Sequence, residues 1–230
     1  MRLHLKAARA SRGNWSLVAD GTFSEGIHLV SGDVGSGKST LALMMAGLLS
    51  PADGSLVRDG ISSTMISLQF PEYHVTGATV AEECRSWGLD WNPVLSGINL
   101  MDKRTAAPLT LSRGELKRLH LACVLAKNYD LLLLDEPLSS LDAIEKERLC
   151  EYLSLRSGGI TILFTHEQTC FPRVDHIWEI QHGELFDRGK MPDALTRWKH
   201  APALIKKIIS TGKSLKNISS LDLQEALCRT

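Results

Sequence analysis

Four short apolar runs, each followed at once by polar side chains, constrain the fold of this chain more than any other feature. The runs occupy residues 27–30, 65–68, 131–134 and 160–164. They lack the strict alternation of apolar and polar residues, which predicts strands that are buried on both faces, as in a parallel sheet. Helical patterns over residues 115–127 and 143–155 lie between some of the runs. This order of elements predicts a doubly wound α/β core.

Polar groups stand where each predicted strand ends. A glycine-rich loop follows the first run, Gln69 the second, Asp135 and Glu136 the third, and Thr165 and His166 the fourth. In open parallel sheets, ligands bind beyond the carboxyl ends of the strands. We therefore expect all four groups to meet at one edge of the sheet.

The bulk composition is that of an ordinary globular protein with one large domain or a domain and an appendage. The 230 residues are 43% hydrophobic and 23% charged, and 26 basic side chains balance 26 acidic ones, which argues against a nucleic-acid partner. The five cysteines are scattered without a C-x-x-C pair, so neither a zinc site nor a disulfide framework is predicted. No apolar run approaches the roughly 20 residues of a membrane span, and residues 1–13 lack the apolar core of a secretory signal. Any membrane contact is expected to come through a partner.

The glycine-rich loop, GDVGSGKS over residues 32–39, fits the phosphate-binding pattern G-x-x-x-x-G-K-[ST]. Glycines let backbone N–H groups turn toward an anion, and the helix that is predicted to start near Lys38 adds its positive end. Lys38 is expected to reach the β- and γ-phosphates, and the Ser39 hydroxyl to ligate Mg²⁺. The alternative is a simple Gly-Ser turn. The residues predicted to bind nucleotide here are Gly32, Asp33, Val34, Gly35, Ser36, Gly37, Lys38, Ser39 and Thr40.

Two acidic residues follow the strand of four leucines. A buried carboxylate needs a partner, so Asp135 is predicted to belong to the shell of a metal ion. Glu136 is predicted to polarise the water that attacks the γ-phosphate, and Pro137 ends the strand. The alternative is a turn that carries two solvated acids.

Several motifs, taken in order along the chain, resemble those of the ATP-binding-cassette (ABC) ATPases. LSRGE at residues 111–115 resembles the signature motif of these proteins. Residues 131–137 resemble their Walker B segment, and residues 139–142 resemble their D-loop. Gln69 resembles the Q-loop glutamine, and His166 resembles the switch histidine. The resemblance implies an α/β P-loop NTPase of the ABC-ATPase type, with a RecA-like core and a small helical subdomain. It also implies hydrolysis of ATP with Mg²⁺. The expected division is an ATPase domain over residues 1–190, with the helical subdomain at roughly 72–128, and a helical tail over 191–230.

The resemblance implies that the signature motif completes the nucleotide site of a second ATPase subunit. Ser112, Gly114 and Glu115 would face the γ-phosphate that the other subunit holds, and Asp142 would bridge the two subunits. Residues 112–115 also fit a capping box, and Asp142 fits an ordinary acid at a helix start, so these structural interpretations stay open. Arg113 stands where the family usually has glycine.

Three further roles are implied by the resemblance. His166 would hold the γ-phosphate and the attacking water in line, and Gln69 would sense Mg²⁺ or that water. Trp15 would stack on the adenine. Their alternatives are a structural histidine, an ordinary loop glutamine and a tryptophan that only packs.

A narrower resemblance points to the ATPases of energy-coupling-factor transporters, which import vitamins and cobalt or nickel ions. It lies in QFPEY at residues 69–73 and TVAEE at 79–83, and more loosely in residues 202–227. It implies an integral membrane transport subunit as partner, a homo- or heterodimer of ATPase subunits, and a location on the cytoplasmic face of the membrane. The stretch from Gln69 to Leu111 is shorter than usual for the family. Two alternatives remain: a soluble ABC-type ATPase of assembly or repair, and a regulatory subunit whose hydrolysis Arg113 weakens.

The tail from Met191 onward is net basic. Residues 203–209 and 221–227 have the pattern of short amphipathic helices. These helices are expected to cover the core, to contact the second subunit or to lie near lipid headgroups.

Overall fold

The computed structural model describes residues 1–228. Its nine strands are β1 (Arg2–Arg12), β2 (Trp15–Ser24), β3 (Gly26–Ser31), β4 (Asp53–Asp59), β5 (Thr64–Ser67), β6 (Leu131–Asp135), β7 (Ile160–Thr165), β8 (His176–Gln181) and β9 (Glu184–Lys190). Its seven α-helices are α1 (Lys38–Ala46), α2 (Val80–Ser86), α3 (Trp91–Gly97), α4 (Arg113–Leu125), α5 (Ala143–Ser154), α6 (Ala203–Ser210) and α7 (Ser220–Cys228).

All nine strands form one sheet in the order β4-β1-β2-β9-β8-β3-β7-β6-β5. The four strands predicted from the apolar runs are neighbours (β3, β7, β6 and β5) and run parallel. Their ends are level, because Ser31 pairs with Thr165 and Asp135 pairs with Phe164. The predicted α/β fold is confirmed, and so is the expectation that the polar groups after these strands share one edge of the sheet.

The antiparallel half of the sheet was missing from the sequence prediction. β1 pairs antiparallel with β2 and β4, and β9 pairs antiparallel with β8. In β1 the buried residues are Leu3, Leu5, Ala8 and Ala10, and the register shifts between Leu5 and Ala8. A bulge inserts one residue and breaks the two-residue period that identifies a half-buried strand, so the alternation in this segment is easy to miss.

Apolar side chains form three buried clusters. One lies between α1, β1, β2 and one face of the parallel strands. The second covers the opposite face and includes residues of α4, α5, α6 and α7. The third joins α2, α3 and one face of α4. The core is therefore continuous on both faces of the strands that carry the polar edge.

The tail packs on the core over its described part. Ile205 and Ile208 of α6 and Leu223 of α7 are buried in the second cluster, which agrees with the first of the three alternatives for these helices; the predicted tail includes residues 229–230, which lie outside the described residues. The division at residue 190 and the subdomain limits at 72 and 128 stay predictions. Within residues 1–228, no helix is long and apolar enough to cross a membrane.

Candidate active site

A cavity of about 650 Å³ lies at the edge where the parallel strands end. Its lining includes five residues that the sequence singled out from distant positions: Trp15, Lys38, Gln69, Glu136 and His166. Val34, Gly35, Gly37, Ser39 and Thr40 of the phosphate loop also contribute to its wall. The topology thus brings the three predicted catalytic residues, Trp15 and most of the phosphate loop into one pocket.

The phosphate loop has a backbone that only glycine tolerates at two positions. A Cβ on Gly37, which has φ 109°, would lie 2.6 Å from the Trp15 ring, and a Cβ on Gly32 would lie 2.9 Å from the carbonyl oxygen of Ile180. Gly37 is also the N-cap of α1, and no side chain caps this helix. The first N–H groups of α1 are therefore open to an anion, as a phosphate-binding loop requires.

Lys38 lies folded over this loop. Its Nζ donates to the carbonyl oxygens of Gly32 at 2.8 Å and Asp33 at 3.0 Å, and it lies 3.9 Å from Glu136 Oε1. Burial lowers the pKa of the Lys38 ammonium, and the nearby carboxylates oppose this effect. A phosphate in the loop would offer the Lys38 ammonium a charged acceptor, which binds it more strongly than a neutral carbonyl oxygen does.

Two buried oxygen atoms beside Lys38 lack hydrogen-bond partners among the described residues, namely Ser36 Oγ and Asp135 Oδ1. Burial raises the pKa of Asp135, while the Ser39 hydroxyl and the ammonium groups of Lys38 and Lys117 lower it. Hydroxyl and carboxylate oxygens are the ligands that Mg²⁺ prefers, so Ser39 and Asp135 fit the predicted metal site. Residues 1–228 hold no cluster of three or more His, Cys, Asp or Glu side chains that could bind a metal ion.

Glu136 and His166 form a fixed pair at the cavity. Glu136 is 6% exposed and has φ 48°, an uncommon conformation for a residue with a side chain. Its Oε2 accepts from Thr165 Oγ1 at 3.0 Å, and its Oε1 accepts from His166 N at 3.1 Å and from His166 Nδ1 at 2.6 Å. The carboxylate is thus held at the cavity wall by three donors, and its role as a general base stays a prediction.

Gln69 follows the end of β5 and is half-buried at the cavity wall. Its backbone carbonyl oxygen accepts a hydrogen bond from Lys117 Nζ at 3.1 Å, whereas its side chain makes no part of this contact. Trp15 stands at another side of the cavity, where its half-buried ring packs against Gly37. Both the stacking role and the packing role of Trp15 are compatible with this position.

The signature residues lie away from this cavity. Ser112 and Glu115 form the capping box of α4: Glu115 N donates to Ser112 Oγ at 3.3 Å and Ser112 N donates to Glu115 Oε2 at 2.9 Å. Lys103 binds Glu115, and this contact lowers the pKa of Glu115 to about 2. A Cβ on Gly114 would lie 2.8 Å from the carbonyl oxygen of Ser140. The chain itself therefore uses these residues structurally, and their predicted role toward a second subunit stays a prediction.

Asp142 has a structural role in the same way. It is the N-cap of α5, and its Oδ1 accepts from Glu145 N at 2.9 Å. This is the helix-start alternative of the sequence analysis. The bridge between subunits is not tested by a single chain.

Sequence reasoning missed two side chains beside the site. Lys117 of α4 is 1% exposed and contacts the Gln69 backbone, although a lysine in a helix normally predicts a solvated face. His200 lies after β9 with Nε2 3.3 Å from Asp33 Oδ2. No local pattern signals either contact, because each joins segments that are distant in sequence.

Comparison with known proteins identifies the family of this chain. The sequence matches the ABC transporter family over residues 21–139. The energy-coupling factor transporter ATP-binding protein EcfA1 of Thermotoga maritima is 35% identical over 74% of this chain and 74% of its own length. A putative ABC transporter ATP-binding protein of Pyrococcus furiosus is 32% identical over 87% of this chain and 88% of its own length.

Solved structures show the same fold. The structure of a putative cobalt transport ATP-binding protein (cbiO-2) superposes with a TM-score of 0.65 at 21% identity, and covers 84% of this chain and 80% of its own. A bacterial ABC transporter cassette that was solved as a dimer has a TM-score of 0.64 at 18% identity, with 80% and 95% covered. The family match over half of the chain, together with a relative that is 35% identical over 74% of it, establishes that this protein belongs to the ABC transporter family and is one of its ATP-binding ATPases.

Proposed function

We propose that this chain is the ATP-hydrolysing subunit of an energy-coupling-factor importer that takes up a metal ion or a vitamin. The observation that carries the proposal is the juxtaposition of Lys38, Gln69 and the Glu136–His166 pair in one cavity. The importer type is supported by relatives named energy-coupling factor transporter ATP-binding proteins in Thermotoga maritima and Staphylococcus saprophyticus. The resemblance of residues 69–73 and 79–83 supports it as well.

The side chains have distinct proposed roles in hydrolysis. The uncapped start of α1 and Lys38 bind the phosphates of ATP, and Trp15 stacks on the adenine. Glu136 takes a proton from the attacking water, and His166 orients that water and the γ-phosphate. Mg²⁺, held by Ser39, Asp135 and Gln69, would neutralise charge that develops on the phosphates.

A second subunit is proposed to close over the bound ATP. Its Ser112 and Gly114 would contact the γ-phosphate, Glu115 would cap the same helix start, and Asp142 would lie at the contact between the subunits. ADP lacks that phosphate, so ATP and ADP differ in affinity for the closed dimer, and only such a difference can drive a conformational cycle. The pair is proposed to work at the cytoplasmic face of the membrane, bound to an integral membrane transport subunit.

The test is to purify the tagged chain from its own cells in mild detergent, with ATP and Mg²⁺, and to identify the proteins that accompany it. A membrane subunit together with a second ATPase chain is the expected result. Recovery of the chain without any integral membrane protein would contradict the importer assignment. A tagged Lys38→Ala variant serves as a control for the part that nucleotide plays in the assembly.

A second candidate is a conventional ABC importer of another solute class. The aliphatic sulfonates import ATP-binding protein SsuB 1 of Mesorhizobium japonicum is 34% identical over 60% of this chain and 58% of its own length. The same purification separates the candidates. A membrane subunit that co-purifies together with an extracytoplasmic solute-binding protein would favour the conventional importer.

A further inference from the structure

Lys117 of α4 carries a buried ammonium group, and none of the catalytic roles proposed above uses it. Its side chain is 1% exposed, and burial lowers the pKa of its ammonium to about 8 against the opposing effect of Asp135 and Glu136. A buried ion is destabilising unless its partners compensate for the lost hydration. A methionine or leucine would fill this position at no such cost, so the ammonium itself needs an explanation.

The Lys117 ammonium contacts the backbone just beyond the end of β5, where the hydrogen bonds of the sheet stop. β5 is the edge strand of the sheet, and its last paired residue is Ser67, opposite Leu134 of β6. Gln69 lies two residues beyond that pair, so no strand holds its backbone. Lys117 Nζ donates to the Gln69 carbonyl oxygen at 3.1 Å and supplies this missing contact.

A second side chain on the same face of α4 contacts the end of β5 and the residues that follow it. His120 lies one turn after Lys117, with Nε2 3.0 Å from Ser67 Oγ. The His120 ring stacks on His74 with 4.3 Å between the ring centroids, and His74 Nε2 accepts from Leu68 N at 3.1 Å. Residues 68–74, which follow the last paired residue of β5, therefore contact α4 through Gln69 and His74.

The charge of Lys117 also lies toward the acid pair. Asp135 and Glu136 raise the pKa of Lys117, and Lys117 in turn is one of the groups that lower the pKa of Asp135. Lys38 acts on the same two acids from the phosphate loop. The geometric contact of the Lys117 ammonium is with Gln69, and its interaction with the two acids is electrostatic only.

We propose that Lys117 is a positioning residue, whose ammonium holds the Gln69 backbone at the wall of the cavity that Glu136 also lines, so that the Gln69 side chain reaches the cavity. The inference rests on the proposed role of Gln69 at the Mg²⁺ of bound ATP. Lys117 itself touches neither ATP nor metal. Its effect on turnover passes through Gln69.

The experiment compares Lys117→Met, Gln69→Ala and the double variant in the purified chain, with Lys127→Met as the control for an exposed lysine just after α4. Lys117→Met is expected to lower kcat about tenfold or more and to raise the Mg²⁺ concentration for half-maximal rate about tenfold, the scale of effects from groups that orient a metal ligand. KM for ATP is expected to stay within about twofold, because the phosphate loop is untouched. Some loss of Tm is expected, because the variant leaves the Gln69 carbonyl oxygen without its donor, so kcat is compared at a temperature well below the Tm of both proteins.

The double variant decides whether the effect passes through Gln69. Gln69→Ala keeps the carbonyl oxygen that Lys117 binds, so it should reproduce the loss of kcat, and adding Lys117→Met should lower kcat by less than about twofold more. Parental kcat in Lys117→Met, independent multiplication of the two losses, or a loss of kcat that merely follows a lower Tm would each overturn the inference. Parental Mg²⁺ dependence in Gln69→Ala would instead overturn the proposed role of Gln69. The two failures are therefore distinguishable.

Discussion

At the scale of single residues, hydrogen bonds hold the charged side chains of the candidate active site in place before any ligand is bound. Glu136 has three donors from Thr165 and His166, and Lys38 has two carbonyl acceptors in its own loop. Glu136 is therefore oriented before the nucleotide arrives, whereas Lys38 would meet a stronger, charged acceptor when the nucleotide binds. The residue most open to a decisive substitution is Glu136.

Glu136→Gln keeps the size of the side chain and removes its basicity. Loss of a general base typically lowers turnover by about 10²–10⁴-fold, so we expect kcat to fall by at least about a hundredfold while the Kd for ATP stays within about threefold. The measurement is steady-state phosphate release together with fluorescent-nucleotide binding. Glu151→Gln, an exposed acid on α5, is the control and should keep the parental rate. A Glu136→Gln enzyme that turns over ATP like the parent would show that another group is the base.

At the scale of elements, two helices start with the same motif, yet they are predicted to differ in function. Thr79 and Glu82 form a capping box on α2, and Ser112 and Glu115 form one on α4. Both pairs satisfy backbone groups at a helix start, which by itself explains their presence. Only the α4 motif is proposed to contact the nucleotide of a second subunit.

Ser112→Ala and Thr79→Ala separate the structural role from the proposed catalytic one. Removing either cap should cost about 1 kcal/mol of stability, measured by urea unfolding. Ser112→Ala should in addition lower kcat about tenfold or more, because a hydrogen bond to a charged phosphate contributes about 1.5–3 kcal/mol. Thr79→Ala should keep the parental kcat. Equal kcat in the two variants would mean that Ser112 is a cap and nothing more.

At the scale of the whole molecule, the two halves of the sheet are joined through buried polar contacts as well as apolar ones. Trp178 of β8 stacks on Phe23 of β2 with 4.2 Å between ring centroids, and its Nε1 donates to His28 Nδ1 at 3.1 Å. His28 Nε2 therefore carries the proton and donates to the Ser24 carbonyl oxygen at 2.7 Å. Burial lowers the pKa of His28 to about 4.

This buried histidine makes stability depend on pH. Its folded pKa, about 4, is lower than its unfolded value of 6.5, so between these values the unfolded chain binds the extra proton and stability rises with pH. The stabilisation of the folded state that comes from neutral His28 is fully present above about pH 6.5 and is lost as pH falls toward 4. From about pH 7.5 to about pH 5, His28 should account for a loss of about 2 kcal/mol.

The check is urea unfolding of the parent and of His28→Gln at both pH values. The parent should lose about 2 kcal/mol more than the variant on acidification, whatever the variant's stability at neutral pH. His4→Gln, at a histidine that is far less buried, is the matched control and should behave like the parent. The same loss in parent and His28→Gln would assign the pH dependence to other groups.

The sequence by itself determined the parallel strands, the phosphate loop and the identity of the groups at the strand ends. These features are local: an apolar run predicts a buried strand, and the residue after it is at the strand end whatever the rest of the chain does. Lys38, Asp135, Glu136 and His166 could therefore be placed at one edge of a sheet before their distances were known.

Only the tertiary structure decided which side chains from distant segments meet. β1 and β2 were missed because a bulge interrupts the alternation of β1, and Lys117 was missed because a lysine in a helix carries no local sign of burial. The Sγ atoms of Cys150 and Cys170, which are 20 residues apart in the sequence, lie 3.3 Å from each other. Such contacts depend on how helices and strands pack, and packing is a property of the whole chain rather than of any short pattern.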